Sequence, residues 1–236
     1  MAKIKTEILG VKINNLSQKE VLEKIEKILK GDKQRYLVLP YSEFVVRANQ
    51  DQEFREIINQ ADLSLCEGKG LFFAMKFLNQ PLKERIAGVE LVEEICRRFR
   101  EIFLFGGKPE VVLKVREKFK NNIAGFSDGY QKDEAVIEKI NQIGPKILIA
   151  ALGSPKQEKW IVENLPKIPS VKLALGVGGA FDFISGKRKR APRALREAGL
   201  EWLWRFFREP WRAKRILKAV VVFPWLVIKE KLSTRK

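Results

Sequence analysis

The chain has no histidine and only two cysteines, Cys66 and Cys96, among its 236 residues. Without histidine there can be no Ser-His-Asp or Cys-His catalysis and no His-ligated zinc. Two thiols are too few for a cysteine zinc site, and they fit a protein that keeps its thiols reduced and forms no disulfide. Long apolar runs are missing as well. The longest, residues 219–228, has ten residues and contains Pro224, whereas a helix needs about 20 apolar residues to cross a bilayer. The opening Met1-Ala2-Lys3-Ile4-Lys5-Thr6-Glu7 leads into no apolar core, so no secretory leader is expected. No Asp-x-Asp pair of the kind that holds a metal–diphosphate occurs, and there is no internal repeat or low-complexity segment.

Basic charge is plentiful but unevenly placed. The formal net charge is +17, yet residues 186–236 hold 16 Lys/Arg against 4 Asp/Glu, a net of +12. The body is therefore nearly balanced, and the tail is built to meet phosphates, whether of nucleic acid, anionic lipid or a diphosphate substrate.

Along the chain, short apolar runs alternate with helical patterns. Residues 8–13 read as a first strand. Ser17-Gln18-Lys19-Glu20 is a capping box that opens a helix to about Lys30. Strands follow at 36–39, 63–66 and 102–105, with a short one at 123–126; helical stretches lie at 43–60, 71–78, 90–100, 109–120 and 133–143. This alternation predicts an α/β fold with a Rossmann-like, doubly wound, mostly parallel sheet. The strand at 63–66 runs straight into Glu67-Gly68-Lys69-Gly70. A carboxylate in a glycine-flanked turn at a strand's carboxyl end is placed for catalysis, though the same residue type also caps helices.

The densest signals lie in residues 145–192. Two apolar runs, 147–152 and 171–177, flank a helical pattern over 155–165, as in a βαβ unit with parallel strands. Each run ends in small residues: Gly153-Ser154-Pro155-Lys156-Gln157 and Gly176-Val177-Gly178-Gly179-Ala180. Ligands of open parallel sheets bind beyond the carboxyl ends of the strands. Both loops are thus expected to offer backbone N–H groups to phosphates, with a helix N-terminus behind them. Glycines of this kind also serve tight βα turns that hold no ligand.

The pattern changes after Pro192. Trp202, Trp204, Phe206, Phe207, Trp211, Phe223 and Trp225 are interleaved with Arg205, Arg208, Arg212 and Arg215. The four arginines share one helical stripe if the helical phase carries across Pro210; alternatively, Pro210 starts a second helix. The mixture has an interfacial character. Large apolar faces argue against nucleic acid as the partner. Two domains are expected: residues 1–191 as the α/β catalytic domain, and 192–236 as a helical appendage for membrane docking and completion of the active site.

Segments 40–46, 61–70, 85–91, 105–109, 152–160, 176–183 and 190–203, above all Gly153-Ser154-Pro155-Lys156-Gln157-Glu158 followed by Gly176-Val177-Gly178-Gly179-Ala180-Phe181-Asp182-Phe183, resemble the WecG/TagA/CpsF family of bacterial glycosyltransferases, over nearly the whole chain. The resemblance implies an inverting, metal-independent transfer from a UDP-sugar, without a cofactor, to a polyprenyl-diphosphate-linked N-acetylglucosamine in teichoic acid or other envelope polysaccharide synthesis. N-acetylmannosamine is the sugar implied first, with glucose or a uronate as alternatives. The place implied is the inner face of the cytoplasmic membrane, where the protein sits peripherally on an anionic surface. A homo-oligomer is expected, and a nucleic acid partner is not.

The family's proposed base is the aspartate of a Pro-Asp-Gly-x-Gly turn. Here the turn is Cys66-Glu67-Gly68-Lys69-Gly70, so the role passes to Glu67, one methylene longer. A Thr-x-Asn-Pro turn reads Leu39-Pro40-Tyr41-Ser42, and a Thr-Gly-x-Asp turn reads Ala87-Gly88-Val89-Glu90. By the resemblance, Arg205, Arg212 and Arg215 join Glu67 as catalytic residues and engage the diphosphate. The implied substrate-binding set is Tyr41, Arg85, Glu90, Gly106, Gly107, Lys108, Gly153, Ser154, Gln157, Gly178, Gly179 and Asp182. A second reading, motivated by the altered turns, is a non-catalytic nucleotide- or lipid-binding relative.

Overall fold

The computed structural model describes residues 5–192, 194–195, 201–208 and 213–233. The chain opens with a hairpin of β1 (Lys5–Ile8) and β2 (Val11–Asn14), turned by Leu9 and Gly10 at φ 50° and 78°. Two successive positive φ values match the twist of an antiparallel pair. The single strand expected over residues 8–13 is therefore two. Leucine rarely takes a positive φ, so nothing at position 9 announced the turn.

The rest alternates. In order come α1 (Gln18–Lys30), β3 (Arg35–Val38), α2 (Ser42–Gln50), α3 (Gln52–Gln60), β4 (Leu63–Ser64), α4 (Lys69–Phe77), α5 (Gly88–Arg98), β5 (Ile102–Gly106), α6 (Pro109–Lys118), β6 (Ile123–Ser127), α7 (Asp133–Ile143), β7 (Ile147–Ala151), α8 (Lys156–Asn164), β8 (Leu173–Gly176) and α9 (Ala180–Ile184). The capping box holds: Ser17 Oγ accepts from Glu20 N at 3.3 Å, and Glu20 Oε2 accepts from Ser17 N at 2.7 Å. Pro109 opens α6 where its missing N–H is tolerated, and Gly144 ends α7 in the left-handed conformation.

Six parallel strands form one sheet in the order β4-β3-β8-β7-β5-β6. β5 and β7 are buried along their whole length, as strands covered on both faces are. Side chains alternate across the sheet. Leu37, Leu104, Ile147, Ile149 and Leu175 meet α1, α5, α6 and α9 on one face. On the other, Val38 packs with α2, α3 and α4, while Phe103, Phe105, Leu148 and Ala174 pack with α7 and α8. This is the doubly wound α/β architecture expected from the sequence.

Beyond it lie α10 (Glu201–Arg208), α11 (Ala213–Leu217), a π turn (Lys218–Val222) and α12 (Phe223–Ser233). The backbone widens just before Pro224, which cannot join an unbroken i→i−4 ladder. Phe223 and Val227 are buried in the same cluster as Leu71, Ala74 and Met75 of α4. Glu230 Oε1 accepts Leu9 N at 2.9 Å, tying α12 to the hairpin. Among the described residues no helix is long and apolar enough to cross a membrane. Arg212 and Pro210 lie outside the described residues, and so does the continuity of the arginine stripe across them.

Candidate active site

The carboxyl ends of β3, β4, β5, β7 and β8 carry most of the residues singled out from the sequence. At the end of β4, Glu67 N donates to Pro40 O at 2.9 Å, joining this turn to the one after β3. Glu67 Oε1 accepts Gly88 N at 3.1 Å, at the start of α5. Arg85 Nη1 reaches the Glu67 carbonyl at 3.1 Å. The turn is thus held through its backbone by Pro40 and Arg85, and Gly88 N orients the carboxylate. The glycines around it are needed for space: a Cβ on Gly88 would collide with Glu67 Oε1, one on Gly70 would lie 2.6 Å from Ser42 Oγ, and one on Gly68 would lie 2.9 Å from Tyr41 Cβ.

At the end of β3, Tyr41 and Glu43 receive the tail. Arg215 Nε donates to Glu43 Oε1 and Oε2, both at 2.9 Å, and Arg215 Nη2 donates to the Tyr41 hydroxyl at 3.1 Å. Glu43 is buried at the start of α2, with Arg47 Nη2 4.0 Å from Oε1. Burial, reinforced by the Glu43 charge, pushes the Tyr41 phenol up to about 12. Tyr41 therefore stays a neutral hydroxyl while it accepts from the guanidinium. Arg215 thus lies 172 positions from Glu43 in sequence but at the Glu67 end of the sheet.

At the ends of β7 and β8, Gln157 links the two glycine loops. Its Oε1 accepts Gly153 N at 3.1 Å and Gly178 N at 2.8 Å, and its Nε2 donates to Glu158 Oε1 at 2.6 Å. Gly176 leaves room for this side chain, since a Cβ there would lie 2.7 Å from Gln157 Nε2. Two amides of the loops expected to face phosphate donate to Gln157 in this structure. A single side-chain oxygen between two loop ends satisfies both donors and holds the loops together. Glu158 is 1% exposed, and burial raises its carboxyl against the opposing hydrogen bond from Gln157.

The remaining positions frame this edge. Gly106 and Gly107 adopt φ 110° and 73° after β5; a Cβ on Gly106 would lie 2.6 Å from Ala151 O. Lys108 caps α6, and Gly179 caps α9. Ser154 is in the β7 loop, its hydroxyl buried. Glu90 Oε1 accepts Arg190 Nη2 at 3.1 Å, and Asp182 Oδ2 lies 3.1 Å from Arg188 Nε. Arg205 falls in α10. Both cysteines are free and buried, and burial holds each thiol near 12, which keeps them from acting as thiolates. A cleft of about 790 Å³ between α7 and α8 includes Asp133, Glu138 and Glu163 and none of the residues gathered around Glu67. Sequence reading passed over Glu43 and Glu158 as site members. Both are acids directly beside apolar positions on an inward helix face, next to Phe44 and close to Trp160, and that was the available signal.

The family model described as the glycosyl transferase WecG/TagA/CpsF family matches residues 6–236. The chain is 30% identical over 244 residues to the N-acetylglucosaminyldiphosphoundecaprenol N-acetyl-beta-D-mannosaminyltransferase of Staphylococcus aureus strain MW2, covering 98% of this chain and 95% of that protein. The proteins of the same name from strains NCTC 8325 / PS 47 and COL match to the same extent.

Proposed function

Since the chain belongs to the WecG/TagA/CpsF family of glycosyltransferases, we propose that it moves an N-acetylmannosamine-type sugar from a UDP-sugar to a polyprenyl-diphosphate-linked N-acetylglucosamine, with inversion and without a metal ion. Glu67 takes the proton from the acceptor hydroxyl as that oxygen attacks the anomeric carbon. The bond from that carbon to the UDP oxygen breaks, and UDP leaves with the electron pair. Negative charge then builds on the diphosphate, and preorganised cations and dipoles lower its energy. Arg215 is the described tail arginine at this edge; Arg205 and Arg212 are assigned to the same task. Arg85 holds the Glu67 turn through the backbone. Residues 1–191 supply the sheet and its turns, and 192–236 supply the arginines and the hold on an anionic inner membrane surface, beside a lipid-linked acceptor.

The observation that carries this reading is the arrival of Arg215 at Tyr41 and Glu43, one turn away from the Glu67 carboxylate. The decisive test is UDP release from UDP-N-acetylmannosamine with a short-chain polyprenyl diphospho-N-acetylglucosamine acceptor, in the presence of a chelator. The wild type is expected to turn over; Glu67→Gln should be slower by roughly 10²–10⁴-fold with donor affinity nearly unchanged. Near-normal turnover of Glu67→Gln removes Glu67 as the base. Absence of release from every UDP-sugar supplied favours the non-catalytic reading.

A further inference from the structure

α12 is half buried, half bare. Phe223 and Val227 point into the core, while Trp225, Ile228 and Leu232, spaced i, i+3, i+7 on the opposite side, are 60%, 51% and 61% exposed. Val221 of the π turn, also exposed, extends this stripe by one turn. α4 repeats the arrangement. Leu71, Ala74 and Met75 enter the same core cluster, and Phe73 and Phe77, one turn apart, remain 55% and 48% exposed. Lys231 of α12 donates to the Phe77 carbonyl and lays its amine over the Phe77 ring, 3.9 Å from its centroid. The outer edges of the two helices are thereby joined.

We propose that this joint face, α4 together with α12, rests on an anionic lipid surface, so that the catalytic domain itself contributes Phe73 and Phe77 to membrane contact. The proposal builds on the membrane-facing reading given above. Charge selects the occupant. α4 holds Lys69 and Lys76 and no acid. Residues 213–233 hold, besides Arg215, which is engaged by Glu43 and Tyr41, four lysines and one acid, Glu230, whose Oε1 is engaged with the hairpin backbone. Lys229 sits over the Trp225 ring, 5.6 Å from its centroid, so amines border the aromatic rings. Apolar rings with cations at their rim suit the boundary between acyl chains and phosphates. A second copy of the chain seated here about a twofold axis would set lysine against lysine.

The placement has a consequence for the site. α4 starts two residues after Glu67 and is about 14 Å long at 1.5 Å per residue. Laying α4 on the bilayer therefore holds the Glu67 turn within about that distance of the headgroups, where a lipid-linked diphosphate lies.

The test uses the full chain and vesicles of phosphatidylglycerol and phosphatidylethanolamine, with phosphatidylcholine vesicles as the neutral comparison. Phe73→Asp and Phe77→Asp, together and singly, are expected to weaken sedimentation with the anionic vesicles by about tenfold or more. Turnover of a detergent-dispersed acceptor should be kept and turnover of a vesicle-embedded one lost. Leu113→Asp, at an exposed leucine on α6, should change neither. Thermal melts of these variants and of the milder Phe73→Gln separate misfolding from loss of contact. If the double variant binds vesicles like the wild type while Trp225→Asp does not, α4 is no part of the face and the proposal fails, leaving tail docking intact. If neither variant alters binding, the membrane-facing reading fails with it. A wild-type dimer in sedimentation velocity that Phe73→Asp dissociates, without vesicle binding, assigns the face to a second copy and overturns the proposal.

Discussion

At the scale of single residues, the edge of the sheet holds three acids with different environments. Glu67 is partly open and accepts a backbone N–H. Glu43 is buried but faces a guanidinium. Glu158 is buried, and an amide, not a cation, is its hydrogen-bond donor. Burial raises the Glu158 carboxyl above the ordinary value of about 4.5, so the folded protein holds a proton there that the unfolded chain releases first. Stability from this group is therefore greatest at low pH and is lost as pH rises from the ordinary value through the raised one. Glu158→Gln keeps the acceptor for Gln157 and removes the ionisation. Its melting temperature is expected to exceed the wild type's at pH 7–8, with the gap closing toward pH 4.5; calorimetry across that range checks it. An unchanged gap at all pH values would mean the carboxyl does not titrate in the fold.

At the scale of elements, the two βα loops act as one unit because Gln157 occupies both. Sequence spacing placed these loops correctly at strand ends, and parallel pairing of β7 with β8 then set them side by side. The sequence offers Gln157 as a ligand contact, and residue type alone does not say that its amide also ties the two loops together. Gln157→Ala leaves two loop donors without their acceptor and opens a space beside Gly176. The expected result is a loss of about 1–3 kcal/mol, with faster exchange at the Gly153 and Gly178 amides and a raised KM for the donor. Hydrogen exchange at those two amides is the direct check; unchanged protection would show that other acceptors hold the loops.

At the scale of the whole molecule, the proposed function divides the charges of the basic tail between two tasks. Arg215 reaches Glu43 and Tyr41, whereas Arg208 on α10 stacks on Trp204, 4.8 Å from its ring centroid. A headgroup contact is diffuse and needs only charge, about 1 kcal/mol each near an anionic surface. A diphosphate contact uses the planar guanidinium fork, which lysine lacks. Arg215→Lys should keep vesicle binding and lower turnover by roughly 10²–10³-fold, and Arg208→Lys should change turnover little. Equal loss in both variants, measured by UDP release, would make Arg215 a membrane residue only.

From Gln18 onward, composition and periodicity alone determined the order of strands and helices, the parallel doubly wound class and the placing of Glu67 and the glycine loops at strand ends. Those properties follow from local spacing: apolar runs of strand length, helix caps, and turns that glycine permits. The Leu9-Gly10 hairpin escaped because leucine there carries a backbone conformation its type disfavours. Only the tertiary structure decided that Gln157 faces the loops rather than solvent, that Glu158 lies buried behind it, and that Arg215 meets Glu43 across the chain. It also decided that one side of α12 is core while the other stays bare beside Phe73 and Phe77. Each of these depends on which surfaces meet after the sheet has formed, and burial and pairing between distant segments leave no periodic mark in the sequence that makes them.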